Sequence, residues 1–227
     1  MILVVAAHPD DEVLGCGATI RKRVTEGLDV HIAILGEGVT SRYAKREEAD
    51  PKLVDHLRRQ ALKVSRMLGA KSLHTYGLPD NRFDTVPMLD IVKQIEILIR
   101  KFRPRVIYTH HGGDLNIDHG IIHRATLAAA RPGLASSVRE IYSFEVASST
   151  EWSFAQVQPV FRPTVFVDVS ATLAVKLKAM AVYDGETRKF PHPRSLDALR
   201  ISAQKWGSVA GVKAAEAFEL IRSVESD

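Results

Sequence analysis

The sequence of 227 residues contains a single cysteine, Cys16. One cysteine excludes an intrachain disulfide, and it also excludes a zinc or iron–sulfur site built from several thiolates. Any metal that the chain binds must therefore be held by His, Asp and Glu side chains.

Long apolar runs are also missing, and none approaches the roughly 20 residues that a membrane span needs. The apolar start of the chain, residues 1–7, carries no basic leader and stops at His8-Pro9. This start is therefore predicted to be a strand and not a signal peptide. We expect a cytoplasmic protein without a membrane span.

The chain has no tract of Lys and Arg, although 31 basic residues against 27 acidic ones give a net charge of +4. Because the positive residues are scattered, we expect no nucleic-acid partner. A small anionic substrate, such as a phosphorylated or nucleotide-linked metabolite, would suit this excess of positive charge. With 45% hydrophobic and 26% charged residues, the composition is that of a globular protein, and residues 1–227 are expected to form one domain.

Strand and helix patterns alternate through the first 131 residues. The predicted strands are 2–7, 30–35, 73–76 and 105–109, and the predicted helices are 12–27, 53–68, 88–102 and 118–131. This alternation predicts an α/β fold, a Rossmann-like three-layer α/β/α sandwich with a mostly parallel sheet. Residues 132–227 have weaker patterns, with strands at 141–146 and 165–169, helices at 171–183 and 195–205, and an ambiguous stretch at 218–221. They are expected to complete the sheet and the substrate pocket.

Polar side chains follow each of the four predicted strands. His8 follows the first strand, Gly36 to Gly38 the second, Asp80 the third, and His110-His111 the fourth. Ligands of open α/β sheets bind beyond the carboxyl ends of the strands. We therefore expect these clusters to meet at one edge of the sheet.

The first cluster, His8-Pro9-Asp10-Asp11-Glu12, places four side chains that can ligate a metal or transfer protons within five positions. His8 and Asp11, three residues apart at a turn, can converge on one ion, with Asp10 pointing to the open side of that ion. In the alternative interpretation, Asp10 or Asp11 caps the following helix and Glu12 favours its first turn. Capping accounts for one carboxylate and leaves His8 unexplained.

The second cluster runs from His110 to His123, and Asp118 is placed to cap the helix that follows it. His119 and His123 are four residues apart, so they form either a two-histidine clamp or a ligand followed by a packing residue. Two His and one carboxylate with a position open for water are typical of catalytic sites. Zinc fits such ligands, and iron, cobalt and manganese stay open. With a free carboxylate as base, the implied reaction class is metal-assisted hydrolysis.

The segment Ala7-His8-Pro9-Asp10-Asp11-Glu12 after a buried strand, with the later Gly15-Cys16-Gly17 and Asp118-His119, resembles the zinc-dependent N-deacetylases of the PIG-L/LmbE-like family. The order and spacing match over residues 1 to about 130. The resemblance implies an enzyme that removes the N-acetyl group from amino sugars or their conjugates, including sugar phosphates and nucleotide sugars. It also implies Zn²⁺ as cofactor and a small N-acetylated sugar as partner, and it leaves a homo-oligomer open.

The resemblance assigns roles to individual positions. His8, Asp11 and His119 match the zinc ligands, and Asp10 matches the general base. Asp80, in Leu78-Pro79-Asp80, matches a substrate-contacting Asp, and Arg58 aligns with a sugar-binding Arg.

One position departs from the pattern of the family, since Asn116 stands where many members have a His that stabilises the oxyanion. The Asn116 amide can still donate one hydrogen bond to that oxygen. It cannot give a proton to the leaving amine, so we expect that proton to come from protonated Asp10 or from His192. Arg194, close to His192 in the sequence, is expected to bind a phosphate or pyrophosphate bidentately.

Two other functions compete with this one. In the first, the chain is a nucleotide-binding Rossmann-like module in which Gly15 and Gly17 cradle phosphates and no hydrolysis occurs. Against it, both glycines lie inside a helix pattern, where a phosphate loop should be the turn itself. The second is a metal-dependent amidase acting on a thiol conjugate, which keeps the same site and changes only the substrate.

Overall fold

A seven-stranded sheet forms the centre of the computed structural model, which describes residues 1–133 and 137–225. The strands are β1 Ile2–Ala6, β2 Val30–Gly36, β3 Ser72–Leu78, β4 Val106–His110, β5 Glu140–Phe144, β6 Val165–Asp168 and β7 Ala215–Ser223. The helices are α1 Asp11–Thr25, α2 Pro51–Leu68, α3 Met88–Phe102, α4 Ile117–Ala129, α5 Leu173–Met180 and α6 Leu196–Ala210. The predicted elements are confirmed, with ends shifted by a few residues.

The strand order is β3-β2-β1-β4-β5-β7-β6, and the pairs among β1 to β5 are parallel. Val4 of β1 faces Ile32 on one side and Tyr108 on the other. Strand β7 is antiparallel to both β5 and β6. The predicted mostly parallel sheet is therefore confirmed, and the ambiguous stretch at 218–221 belongs to β7.

Both faces of the sheet are covered by helices. Val4 and Ala6 of β1 pack into a core with side chains of α1, α2, α5 and α6. Leu3 and Val5 pack into a second core with side chains of α3 and α4. Because β1 is buried on both faces, its sequence is continuously apolar and does not alternate. The three-layer α/β/α architecture is confirmed.

Helix α1 is interrupted at Cys16, whose φ of −147° and ψ of 23° are not helical. A Cβ added at Gly15 would overlap the ring of Phe144, which ends β5. The glycine therefore allows α1 to lie close against the sheet. The interruption leaves backbone N–H groups inside the protein that need other partners.

Glu216 of β7 supplies those partners. Its carboxylate accepts hydrogen bonds from the backbone N–H of Ala18 at 3.1 Å and of Thr19 at 2.6 Å. The buried Lys176 donates to Glu216 Oε1 at 2.6 Å and to the Leu14 carbonyl oxygen at 2.8 Å. The interruption of α1 is thus stabilised by a buried ion pair contributed by the C-terminal part of the chain.

Across residues 1–133 and 137–225, we find no helix that combines the length and the apolar character required to cross a membrane.

The close approach of α1 to the sheet predicts that Gly15→Ala destabilises the protein. Overpacking of this kind costs about 1–3 kcal/mol, which should lower the midpoint of urea unfolding. The control is Gly77→Ala, because an added Cβ at Gly77 meets no described atom within 4 Å. Equal midpoints for the two variants would contradict the packing argument.

Candidate active site

The turn after β1 is held by hydrogen bonds of its own carboxylates. Asp11 Oδ2 accepts from the His8 N–H at 2.8 Å, and Glu12 Oε2 accepts from the Asp10 N–H at 3.1 Å. Tyr183 in turn donates its hydroxyl to Glu12 Oε1 at 2.6 Å. Asp10 has a left-handed φ of 109°, which is uncommon outside glycine, and its side chain makes no capping bond to any described residue. Asp10 therefore occupies the N-cap position of α1 without capping the helix through its side chain, and its carboxylate lines the cavity instead.

His8, Asp11 and His119 converge at the edge of the sheet. Asp11 Oδ2 lies 3.4 Å from His8 Nδ1 and 3.3 Å from His119 Nε2. One donor atom from each residue lies within 4.8 Å of the others, and all three residues are buried. His119 Nε2 has no hydrogen-bond partner among residues 1–133 and 137–225. Because an unpaired buried nitrogen is costly, this donor set fits a bound divalent cation.

The charges around Asp11 favour its ionised form. Burial alone would raise the pKa of Asp11, but the imidazoles of His119, His110 and His8 outweigh burial and hold that pKa well below its usual range. Burial likewise opposes the charge on His119, yet Asp11 and Asp114 raise the pKa of His119 to about 9. Both carboxylates thus surround His119 with negative potential, which also favours a cation in contact with it.

Asp114 lies behind His119. Its Oδ1 is 3.2 Å from His119 Nδ1, the nitrogen opposite the proposed ligand atom. Asp114 also accepts hydrogen bonds from the Ser149 hydroxyl and, at 2.6 Å, from the Thr150 hydroxyl. Burial disfavours its charge, but His119 and these hydroxyls lower the pKa of Asp114 to about 2. A carboxylate behind a ligand histidine orients the ring, and no spacing in the sequence indicated this role for Asp114.

His110 packs directly against His119. The two rings are stacked with their centroids 4.0 Å apart, and His110 Nε2 accepts from the Ala7 N–H at 2.8 Å. Burial, together with the neighbouring His119, lowers the pKa of His110 well below its usual value. A neutral His110 that accepts a backbone hydrogen bond fixes the orientation of the His119 ring by packing.

The other two histidines of the second cluster face elsewhere. His111 Nδ1 lies 2.7 Å from Glu219 Oε2, on the side of β7. His123 Nδ1 lies 2.9 Å from the carbonyl oxygen of His110. The two-histidine clamp of His119 and His123 is therefore not formed, and His123 has the packing role.

Asp118 fixes the far side of the His8 ring. Its Oδ2 lies 2.9 Å from His8 Nε2, and its two oxygens also accept from the backbone N–H groups of Asn81 at 2.6 Å and Phe83 at 3.0 Å. Asp80 Oδ1 lies 3.3 Å from the same nitrogen of His8. His8, Asp80 and Asp118 could also surround a cation. The set of His8, Asp11 and His119 fits a cation better, because it contains His119 Nε2, a buried nitrogen without a hydrogen-bond partner among the described residues.

Asn116, and not Asp118, is the N-cap of α4. Its Oδ1 accepts from the Asp118 N–H at 2.9 Å. The expectation that Asp118 caps this helix is wrong, because its carboxylate binds His8 and the loop after β3. With Oδ1 used in this way, the amide nitrogen of Asn116 is the atom that can donate to a ligand.

A cavity of about 160 Å³ opens beside these residues. Six residues predicted from the sequence line it: His8, Asp10, Asp11, Asp80, Asn116 and Arg194. Ser41, Arg42 and Glu186 also line it, and no motif in the sequence had indicated them. The Ser41 hydroxyl donates to Asp80 Oδ2 at 2.7 Å, which holds this carboxylate at the cavity wall. The predicted meeting of the four strand-end clusters is confirmed. His8, Gly38 and Asp80 line the cavity, and His110 Nε2 lies 3.6 Å from Asp11 Oδ2.

Arg194 reaches Asp10 from the segment between α5 and α6. Its Nη1 lies 2.9 Å from Asp10 Oδ2 and 3.3 Å from Glu186 Oε2, and its Nε donates to the Ser148 hydroxyl at 2.8 Å. Burial raises the pKa of Asp10, Arg194 lowers it, and the carboxylates of Asp11 and Glu186 raise it again. The pKa of Asp10 ends well above its usual value, which makes this carboxylate a stronger base.

Arg58 and His192 lie away from the cavity wall. Arg58 is exposed on α2 and lines a separate open depression with Glu37 and Arg46. His192 Nδ1 accepts from the Arg194 N–H at 3.1 Å, and its ring meets Trp152 edge-on with centroids 5.4 Å apart. Neither residue is among those that line the cavity, so the roles predicted for them have no support from their positions.

The glycines of the competing nucleotide-binding function lie within α1. Gly15 packs against Phe144, and an added Cβ at Gly17 would meet Val13 and Lys176. The nearby N–H groups of Ala18 and Thr19 already bind the Glu216 carboxylate. A phosphate group would find this position occupied by the anion of the protein itself, so the structure does not favour a phosphate cradle here.

Two imidazoles and a carboxylate at the carboxyl edge of a parallel sheet, with the Asp10 carboxylate next to them, are the arrangement of a metal-dependent hydrolase. The family model of PIG-L, described as GlcNAc-PI de-N-acetylase, matches residues 3–130. The chain belongs to this family, and the family predicted from its sequence is confirmed.

Similar proteins cover most of the chain. A probable N-acetyl-alpha-D-glucosaminyl L-malate deacetylase 2 of Bacillus cereus is 27% identical over 191 residues, which cover 82% of this chain and 83% of that protein. Diacetylchitobiose deacetylase of Thermococcus kodakarensis is 24% identical over an alignment of 241 residues, which covers 98% of this chain and 84% of that protein. The crystal structure of the conserved protein TT1542 from Thermus thermophilus superposes with a TM-score of 0.77 at 26% identity and covers 100% of this chain and 96% of that one.

The contact between Asp114 and His119 predicts that Asp114→Asn weakens the binding of a divalent cation at His8, Asp11 and His119, with zinc as the probe. Loss of such an outer carboxylate typically costs 10–100-fold in metal affinity. The dissociation constant can be measured by competition with a chromophoric chelator. Asp84→Asn, the same change at an exposed position, is the control and should bind zinc as the unaltered protein does. Equal affinities for both variants would exclude the orienting role.

Proposed function

We propose that this protein is a metal-dependent hydrolase that removes an N-acetyl group from an amino sugar or an amino-sugar conjugate. The observation that carries the proposal is the convergence of His8, Asp11 and His119, whose donor atoms lie within 4.8 Å of one another. Asp10 lines the cavity beside His8 and Asp11. The deacetylase names of the relatives support the same reaction.

His8, Asp11 and His119 would hold the metal ion, for which we propose zinc. Mixed imidazole and carboxylate donors suit zinc, and three protein ligands leave a position open, as catalytic zinc sites do. When bound, zinc supplies a lowered pKa for water and a polarised amide carbonyl. Asp118 and Asp114 hold the ligand rings of His8 and His119 from behind, so the protein itself keeps the donor atoms in place.

Asp10 is proposed as the general base. Its carboxylate faces the cavity and takes the proton of the attacking water, and its raised pKa improves that step. Arg194 contacts Asp10 Oδ2 at 2.9 Å and keeps the carboxylate in one orientation. After the first transfer, the proton on Asp10 can pass to the leaving amine. Asp10 is preferred to His192 as that acid because only Asp10 lines the cavity.

Asn116 and Asp80 are proposed to contact the substrate. The Asn116 amide can donate to the amide oxygen as negative charge develops there. Asp80, held by Ser41, can accept hydrogen bonds from sugar hydroxyls. We propose Arg42 in place of Arg58 as the arginine at this end of the site, because Arg42 lines the cavity and Arg58 does not. A cytoplasmic location and a homo-oligomer stay predictions from the sequence.

Asp10→Asn should retain zinc and lose turnover by about 10²- to 10⁴-fold, the usual contribution of a positioned acid–base group. His8→Ala and His119→Ala should instead lose the metal itself. Zinc content by mass spectrometry and acetate release separate the two effects. Turnover of Asp10→Asn at the level of the unaltered enzyme would refute the assignment of the base.

A substrate screen tests the reaction directly. Acetate release should be measured for N-acetylated sugars, their phosphates, nucleotide sugars and thiol-conjugate amides, with and without a chelator. We expect release from at least one amino-sugar conjugate and its loss on chelation. Hydrolysis of the thiol-conjugate amide alone would assign the amidase function, and metal-free binding of nucleotides without hydrolysis would assign the nucleotide-binding one.

A further inference from the structure

Two arginines from distant parts of the chain meet on one carboxylate at the cavity wall. Arg42 lies in the segment after β2, and Arg194 lies between α5 and α6. Arg42 Nη2 lies 2.5 Å from Glu186 Oε1, and Arg194 Nη1 lies 3.3 Å from Glu186 Oε2. Each guanidinium thus holds a different oxygen of the same carboxylate.

Glu186 is buried in this position, with 6% of its surface exposed, and it lines the cavity together with both arginines. A pair of guanidinium groups facing one cavity is the arrangement that binds a phosphate or carboxylate ligand. Here the anion between them is a side chain of the protein. Asp10 is a second such anion, and its Oδ2 lies 2.9 Å from the same Nη1 of Arg194 that contacts Glu186.

The charges of this group cancel. Arg42 and Arg194 carry two positive charges, and Glu186 and Asp10 carry two negative charges when both are ionised. A phosphate entering between the arginines would have to displace a buried carboxylate that already has good partners. If it did not displace the carboxylate, it would lie against it with the same sign of charge, which is unfavourable in a partly desolvated cavity.

We propose that Glu186 is a resident anion that fills the two-arginine site and selects amino-sugar conjugates without a phosphate group at this wall. The inference rests on the proposed deacetylase function and specifies the substrate class within it. It also replaces the expectation that Arg194 binds a substrate phosphate. Glu186 is a specificity-determining residue, acting through the two arginines, and takes no part in the bond-breaking step.

The first measurement uses the unaltered zinc-loaded enzyme and a matched pair of substrates, methyl N-acetylglucosaminide and N-acetylglucosamine 1-phosphate. We expect kcat/KM for the methyl glycoside to exceed that for the phosphate at least tenfold. A preference for the phosphate would overturn the inference without any variant, so the test does not depend on the folding of an altered protein.

The second measurement compares Glu186→Gln with Asp184→Asn. Glu186→Gln leaves the two arginines with one negative charge fewer, so the ratio of kcat/KM for phosphate over methyl glycoside should rise at least tenfold. Asp184→Asn removes the same charge two residues away, at an exposed side chain that contacts His56 and Gln60 and neither arginine. Its ratio should stay that of the unaltered enzyme.

A double variant restores the balance of charge. In Glu186→Gln with Arg42→Gln, the gained preference for phosphate should disappear, because only one arginine is left beside Asp10. An unchanged ratio in Glu186→Gln, or equal gains in Glu186→Gln and Asp184→Asn, would contradict the inference. The methyl glycoside is the reference substrate in every variant. Misfolding lowers kcat/KM for both substrates alike and therefore leaves their ratio unchanged.

Binding of inorganic phosphate separates this inference from the proposed function. Calorimetry on the zinc-loaded proteins should give tighter phosphate binding in Glu186→Gln than in the unaltered protein, and any contact of phosphate with the zinc is common to both. If no sugar is hydrolysed, the deacetylase function fails while this comparison still decides the role of Glu186. Equal phosphate affinities would refute that role.

Discussion

One carboxylate oxygen, Oδ2 of Asp11, determines the geometry of this protein's site. It accepts the His8 N–H at 2.8 Å and lies within 3.4 Å of a ring nitrogen of both His8 and His119. Contacts with His119 and His8 favour the ionised form of Asp11, and the charge of Asp11 in turn attracts their ring nitrogens. The parallel pairing of β1 and β4 brings the turn with His8 and Asp11 close to the segment with His119. The geometry of the site therefore depends on the topology of the sheet.

Much of the fold could be predicted because its signals are local. The continuous apolar run of β1 and the periodic apolar positions of α3 each lie within a few residues, and α3 spans Met88–Phe102 as predicted. Strand β7 stayed ambiguous because it pairs antiparallel between two strands that lie far from it in sequence. The interruption of α1 at Cys16 also escaped prediction, since its partners, Phe144 and Glu216, come from the other half of the chain.

The residues of the site also divide into those indicated by local sequence patterns and those placed by contacts between distant parts of the chain. His8, Asp10 and Asp11 share one turn, so their spacing singled them out as candidates. The choice of His119 instead came from the resemblance to the family, because spacing left its pairing with His123 open. Arg194 meets Asp10 across 184 residues of sequence, and no pattern indicates such a contact. The sequence indicated Arg58 and gave no signal for Arg42, which lines the cavity, for a related reason. A helix pattern shows that a side chain lies on one face, but it does not show which loop folds over the cavity.

The interruption of helix α1 affects where a chain of this family can be cut into fragments. The family model ends at residue 130. Beyond that residue, the Phe144 ring packs against Gly15 of α1, and the Glu216 carboxylate accepts hydrogen bonds from backbone N–H groups of α1. A fragment cut at residue 130 would leave two amide groups of the motif-bearing helix without their acceptor, and it would remove the surface on which Gly15 rests. The part of the chain that carries His8, Asp11 and His119 therefore depends on residues beyond 130 for its packing, and engineered chimaeras should keep β5 and β7 together with α1.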